Sequence, residues 1–200
     1  MKLIISEKEF HDHSMSKLIK GAVVPRPIAW VSTISSNGTR NLAPFSFFTV
    51  ASMNPITLCF SVGSGQREKD TLVNIKQSKE FIINIVSESL ANQMHESSKG
   101  YGADVDEFEV AGTEFEDGDF VQVPRVKRSP VHMECELDQV IEIGEGNLVL
   151  GKLIGYHIQD EVYEETDKVD PQKLKPVGRM AGDYSYIRDF YTLPNDDLPK

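Results

Sequence analysis

Cysteine is nearly missing from this chain. The two present, Cys59 and Cys135 among 200 residues, are too few and too far apart for a disulfide framework or a zinc site. Long apolar runs are missing as well, and nothing approaches the ~20 residues that a membrane-spanning helix needs. Basic residues are outnumbered, with 21 Lys and Arg against 31 Asp and Glu and a formal net charge of −10. No basic patch is visible that could neutralise a run of phosphates, which argues against broad nucleic-acid or acidic-membrane binding. The opening segment, MKLIISEKEFHDHS, meets charge too soon to read as a signal peptide. The expectation is a soluble, cytoplasmic protein of one domain across residues 1–200, large enough to bury a core without staples.

Complete nucleotide-binding fingerprints are also lacking. Gly63-Ser64-Gly65 and Gly144-Glu145-Gly146 each begin like a dinucleotide motif, but the position of the third glycine holds Glu68 and Val149. Neither opens a helix within a βαβ unit, and there is no P-loop. Metal-ligand spacing is equally poor. His11 and His13 are one residue apart with no third ligand near them, so exposed histidines are the expectation and no metal is assigned. Cys59, His132 and Cys135 lie in apolar strands and read as packing residues. No Ser-His-Asp set can be assembled from spacing.

What the sequence does contain is β-pattern. Ile28–Ile34 and Asn41–Ala51 flank Asn37-Gly38, a strong hairpin cue. Ile56–Val62 and Phe81–Val86 read as third and fourth strands, and Val131–Ile143 with Asn147–Gln159 as a second hairpin across a Gly-Glu-Gly turn. Two helices fit between them. Asp70 can cap DTLVNIKQS, with Leu72, Val73 and Ile75 as its apolar face, and SESLANQMHESS covers Ser87–Ser98. The acidic, Gly-containing stretch from Lys99 to Asp119 reads as a surface excursion, and the tail from Glu161 as irregular. Short strands with few helices predict a mainly β fold, a closed or partly open barrel.

The richest segment is Arg26–Ser52. Ser32, Thr33, Asn41, Ser46 and Thr49 interrupt strands that carry Trp30, Phe45, Phe47 and Phe48. Pro44 within a strand points to an edge or a bulge, where backbone N–H groups can face a ligand. On pattern alone, a Ser/Thr-rich hairpin facing water accounts for these residues too. Lys69-Asp70-Thr71 at a helix start brings together a cation, a hydroxyl and free N–H groups, which suits a phosphate. Ordinary capping with a solvated Lys69 explains it equally well.

Taken in order, four blocks resemble the flavin reductase-like family, the FMN-binding split barrels related to flavoredoxin and ferric reductase. They are RPIAWVST (26–33), NLAPFSFF (41–48), KDTLVN (69–74) and PVGRMAGDYS (176–185), with DVDEFEVAGTEF (104–115) between the last two. The resemblance covers roughly Gly21 to Tyr191. It implies a Greek-key split β-barrel with a few short helices, a homodimer, and one FMN per subunit near the interface. It also implies that Arg26, Ser32, Thr33, Asn41, Ala43, Pro44, Phe45, Ser46 and Phe47 line the ring and ribityl region. Lys69, Asp70 and Thr71 match the phosphate and ribityl region, and Arg179 a residue near the flavin. Tyr184 and Tyr186 fit either a site or a packing role. The chemistry implied is NAD(P)H-dependent reduction of flavin or a small acceptor through bound FMN, with no ionisable catalytic residue required because the cofactor carries the electrons. One position departs from the pattern: many NAD(P)H-dependent members carry His where this chain has Asn147. The alternative is therefore a flavoredoxin-type carrier exchanging electrons with a protein partner.

Overall fold

The computed structural model describes residues 3–63, 65 and 67–191; Ser64 of the first Gly-x-Gly lies outside them. The Asn37-Gly38 turn forms as the dipeptide requires, with Gly38 at φ +87, a left-handed value that glycine adopts without steric cost. It joins β1 (Ala29–Ile34) to β2 (Arg40–Phe45) in antiparallel register.

The second strand expected over Asn41–Ala51 does not run through. It stops after Phe45, and β3 (Phe48–Met53) pairs with β4 (Ile56–Gly63) instead. After β5 (Glu80–Ile85), two three-residue strands, β6 (Phe115–Asp117) and β7 (Pro124–Val126), pair with each other. The hairpin of β8 (Val131–Ile143) and β9 (Gly146–Ile158) follows as expected. The large sheet runs β2-β1-β5-β8-β9-β4-β3, so β2 and β3 are its two opposite edges. Only Ser46 and Phe47 connect them. The three residue steps from Phe45 to Phe48 span no more than about 11 Å, so the sheet must curl until its edges nearly meet. They do approach: the Phe45 ring on β2 stands 5.1 Å from the Phe60 ring on β4, the strand paired with β3. No ladder joins β2 to β3. The result is a barrel left open along one seam, a split barrel of mainly β character.

Alternation along β1 divides the packing. Ala29 and Val31 face the barrel interior with Phe60, Phe81 and Val149, and the helix Asp70–Ser78 adds Leu72 and Ile75 to that cluster. Ile28 and Trp30 face outward into a second cluster with Leu42, Leu90, Met94 and Phe108. With both faces covered, β1 is buried almost throughout. Close packing also explains one glycine: a Cβ at Gly151 would lie 2.1 Å from Cζ of Phe81, so the ring occupies the space a side chain would need.

The helices are short. α1 spans Met15–Ala22 and α2 Asp70–Ser78; a 3-10 turn at Glu88–Leu90 leads into α3 (Ala91–Glu96), within the helix expected over 87–98. α1 was not marked by the sequence, since it buries none of its own residues. Asp70 is the first helical residue of α2, not its cap; Lys69 holds the cap position. The stretch 99–119 is less peripheral than its composition suggests, because α4 (Glu107–Val110) buries Glu107 and Phe108 against β2. The tail is also more ordered than expected. It contains the pair β10 (Tyr163–Glu164) and β11 (Lys168–Val169), the turn α5 (Pro171–Leu174), and the pair β12 (Val177–Arg179) and β13 (Tyr184–Tyr186). β12 bridges back to Arg26, where each backbone N–H donates to the other's carbonyl at 2.9 Å. Among the described residues no helix is long and apolar enough to cross a membrane.

Candidate functional site

The open seam carries a groove. Two cavities, of about 440 and 710 Å³, lie on either side of Pro44 and Phe45 and share those residues and Ser98. The smaller arm brings together Arg26, Ser46, Phe47 and Arg179 with Lys20, Met94 and Tyr184. The larger takes Asn41, Ala43, Lys69, Asp70 and Thr71 with Arg67, Lys99, Tyr101 and Glu107. Residues from four separate sequence blocks thus meet along one seam. Ser32 and Thr33 line neither arm, because their side chains are fully buried. Asn147 lines neither as well; it sits opposite Val62 at the far end of the β8–β9 hairpin.

The polar residues of the hairpin are mostly spoken for below the surface. Asn84 donates from Nδ2 to the Trp30 carbonyl at 2.8 Å and to Ser32 Oγ at 3.2 Å. On the barrel side, Asn74 Nδ2 donates to Thr33 Oγ1 at 3.0 Å, and the Thr33 hydroxyl donates to Asn41 Oδ1 at 3.2 Å. Thr71 Oγ1 donates to the same Oδ1 at 2.7 Å. Asn41 then donates from Nδ2 to Glu107 Oε1 at 3.0 Å, and the Leu42 N–H donates to Oε2 at 3.2 Å. Among the described residues no buried side-chain nitrogen or oxygen lacks a partner. The Thr and Asn that looked like ligand contacts in the strand pattern are therefore, in part, the frame that fixes Asn41 and Thr71 at the cavity wall.

Backbone alternation sharpens the edge argument. The Leu42 N–H points away from β1, so Pro44, two residues on, is the next position turned outward. Proline has no N–H to leave unpaired there. Ser46 is then the first residue past the strand whose N–H can face the groove.

Cations are placed unequally. Arg26 is buried, and its guanidinium donates to the carbonyls of Lys20 and Val23, each at 2.7 Å, and of Met180 at 2.8 Å. It clasps α1 and the 180 segment to the barrel. Arg67 is paired to Asp70 at 2.8 and 2.9 Å, and Lys99 to Glu96 at 2.7 and 2.8 Å. Lys69 lines the larger arm without an ion pair among the described residues. Arg179 lies over the Tyr184 ring, its Cζ 4.5 Å from the centroid. Glu107 is the anomaly: burial pushes its carboxyl up to about 7, with Asp70 adding in the same direction against the hydrogen bonds from Leu42 and Asn41. Sequence reasoning missed Arg67, Ser98, Lys99, Tyr101 and Glu107. The first four sit in loops with no period to read; for Glu107, the clue was Asp106, which caps α4 through its side chain to the N–H groups of Phe108 and Glu109.

One His and carboxylate cluster lies elsewhere, where Asp119, Glu134 and His157 offer ligand atoms within 4.8 Å of one another. Arg125 projects into it, its Nη1 2.8 Å from Asp119, 3.6 Å from Glu134 and 3.2 Å from His157 Nδ1. The cluster already contains its cation. Cys135 and His132 are buried, and burial pushes the thiol up and the imidazole down in pKa, as packing residues would show.

Comparison with known proteins agrees with this geometry. An uncharacterized protein of Aquifex aeolicus is 38% identical over 185 residues, which cover 92% of this chain and 94% of that protein. The crystal structure of nitrilotriacetate monooxygenase component B from Bacillus cereus superposes with a TM-score of 0.92 at 29% identity, covering 96% of this chain and 99% of that one. That of 2-nitrobenzoate 2-nitroreductase NbaA from Pseudomonas fluorescens gives 0.85 at 29% identity, with 99% of each chain covered. The sequence model of the flavin reductase like domain matches residues 21–184, from the end of α1 to the tyrosine at the groove's far wall. A split barrel with its groove on the open seam and a family match across that whole span lead to one conclusion: this chain belongs to the flavin reductase-like domain family.

Proposed function

We propose that this protein is an FMN-dependent oxidoreductase that draws electrons from NAD(P)H and reduces flavin or a small acceptor. The observation that carries this reading is the two-armed groove, apolar and aromatic at Pro44, Phe45 and Phe47 and cationic at Lys69 beside the start of α2. That donor set fits a planar ring joined to a phosphate. Lys69 and the N–H groups of Asp70 and Thr71 at the start of α2, which have no partner inside the helix, would hold the phosphate. Thr71 and Asn41 would face the ribityl chain, and Ala43 to Phe47 the ring. FMN, when bound, supplies the two-electron chemistry, so the protein's task is to orient it and leave one face open. The monooxygenase component B and the nitroreductase among the similar structures support a redox role.

Purified protein is expected to be yellow and to bleach when NADH or NADPH is added without oxygen. Protein that binds FMN but stays oxidised with both nucleotides would overturn the nicotinamide part. It would favour the flavoredoxin-type alternative, to which Asn147 already points.

The assembly proposed is a homodimer. Along the β3 edge and its turn into β4, Phe47, Val50, Met53 and Ile56 are exposed by 50, 51, 72 and 39%, and this edge begins beside the groove. An unpaired apolar edge is normally covered or charged. Sedimentation equilibrium is expected to return twice the chain mass of 22.4 kDa; a monomer at micromolar concentration would refute the dimer.

A further inference from the structure

We propose that Glu107 is the positioning residue of the cofactor site and takes up a proton when a phosphate-bearing ligand enters the larger cavity. This rests on the FMN reading above and adds to it a proton linkage.

Glu107 is 7% exposed, yet it lines the cavity from below. Its two oxygens receive Asn41 Nδ2 and the Leu42 N–H, so this one carboxyl fixes both the side chain that faces the cavity and the backbone of the strand leading to Pro44. Among the described residues no cation is paired with it. Arg40, next to Asn41 on β2, is taken by Asp106 at 2.5 Å, the cap of α4, and by Glu109 at 3.5 Å within it. From α2 it faces Asp70, whose charge Arg67 already shares, with Lys69 at the cap. From the loop it faces the Tyr101 hydroxyl, which donates to Glu96. Thr33 and Asn74 add only neutral groups.

An uncompensated carboxyl in this setting stands near the midpoint of its titration at neutral pH. A phosphate carries roughly two negative charges at pH 7. Placed in a cavity that already holds Asp70 and Glu107, it disfavours the ionised form of Glu107 further. Protonation relieves that repulsion and keeps both hydrogen bonds, since a protonated carboxyl still accepts and gains an O–H to donate. Binding and proton uptake are then one equilibrium.

The test is FMN affinity, read by quenching of flavin fluorescence on apoprotein from pH 7 to 8.5, above the phosphate's own second ionisation near 6. The wild type is expected to lose affinity by up to about tenfold per pH unit, the limit for one proton taken up. Calorimetry in two buffers of different ionisation enthalpy should record that proton. Glu107→Gln, which keeps an acceptor for Leu42 or Asn41 but cannot ionise, is expected to flatten the profile and to bind more tightly than the wild type at pH 8.5. Glu107→Leu removes the positioning contacts and should weaken FMN and riboflavin alike at every pH. Riboflavin, lacking phosphate, is expected to show a shallower slope with the wild type. Equal slopes for wild type and Glu107→Gln, or for FMN and riboflavin, overturn the proposal. Failure of FMN to bind the wild type at pH 7 overturns the cofactor reading instead.

Discussion

Glu134→Ala is expected to destabilise the protein by about 3–5 kcal/mol, the range for removing one partner of a buried charged cluster. Glu134 is fully buried, and its oxygens receive the N–H groups of Asp119, Phe120 and Val121 at 2.9, 2.7 and 3.0 Å. His157 adds Nε2 at 2.6 Å. Burial alone would raise its pKa, but these bonds together outweigh it and hold the carboxyl below the usual carboxylate range. Truncation strands three backbone donors in the loop before β7 and leaves Arg125 and His157 facing a void. Each unsatisfied donor costs about 1–3 kcal/mol. Because the folded pKa is depressed, the stabilisation is present above the unfolded pKa and lost as pH falls through the folded one. The gap between wild type and variant in urea midpoints should therefore be full at pH 7 and narrow below about pH 4. Glu134→Gln keeps one acceptor and should cost less. The result also tests the role assigned to the Asp119, Glu134 and His157 group. A clamp closed by Arg125 responds to urea and not to chelators, whereas a metal centre would respond to both.

The strand pattern gave the main strands because apolar patterning reports which faces are covered, and β1 and β5 are covered on both. It gave β2 and β3 as one strand for the same reason. The apolar run continues from Leu42 to Val50, broken by Ser46 and Thr49 alone, and nothing in it marks that Ser46 and Phe47 carry the chain from one edge of the sheet to the other. Pro44 was the only local sign. The site was legible in its blocks, since Pro44 to Phe47, Lys69 to Thr71 and Arg179 do meet on one groove. What spacing could not say is which polar groups face outward. Ser32 and Thr33 have the same composition signature as Asn41, and only the position of Asn74 and Asn84 beneath them turns them inward. Glu107 was hidden more deeply. An acidic, Gly-containing stretch reads as solvent-facing unless one knows that Phe108 beside it packs on Trp30 and Leu42.

Lys69→Ala is expected to raise the FMN dissociation constant by about 10–100-fold while leaving riboflavin affinity unchanged. The size follows from one hydrogen bond to a charged group, about 1.5–3 kcal/mol, and the selectivity from the phosphate's being the only difference between the two ligands. Lys69 is the residue to choose because its neighbours are already neutralised: Arg67 by Asp70 and Lys99 by Glu96. Its own ammonium has no carboxylate partner among the described residues, and Lys69 stands at the cap of α2, where the N–H groups of Asp70 and Thr71 have no carbonyl one turn back to receive them. The free charge and the helix dipole act on the same point. Salt should weaken FMN binding to the wild type more than to the variant, as screening removes a contribution the variant no longer has. Lys69→Arg, which keeps the charge, should recover most of the affinity. If Lys69→Ala weakens riboflavin as much as FMN, then Lys69 touches the part the two ligands share, and the phosphate must lie in the other arm, with Lys20 and Arg179. The two arms of the groove would then exchange roles, and the ring would sit over Asn41 and Thr71.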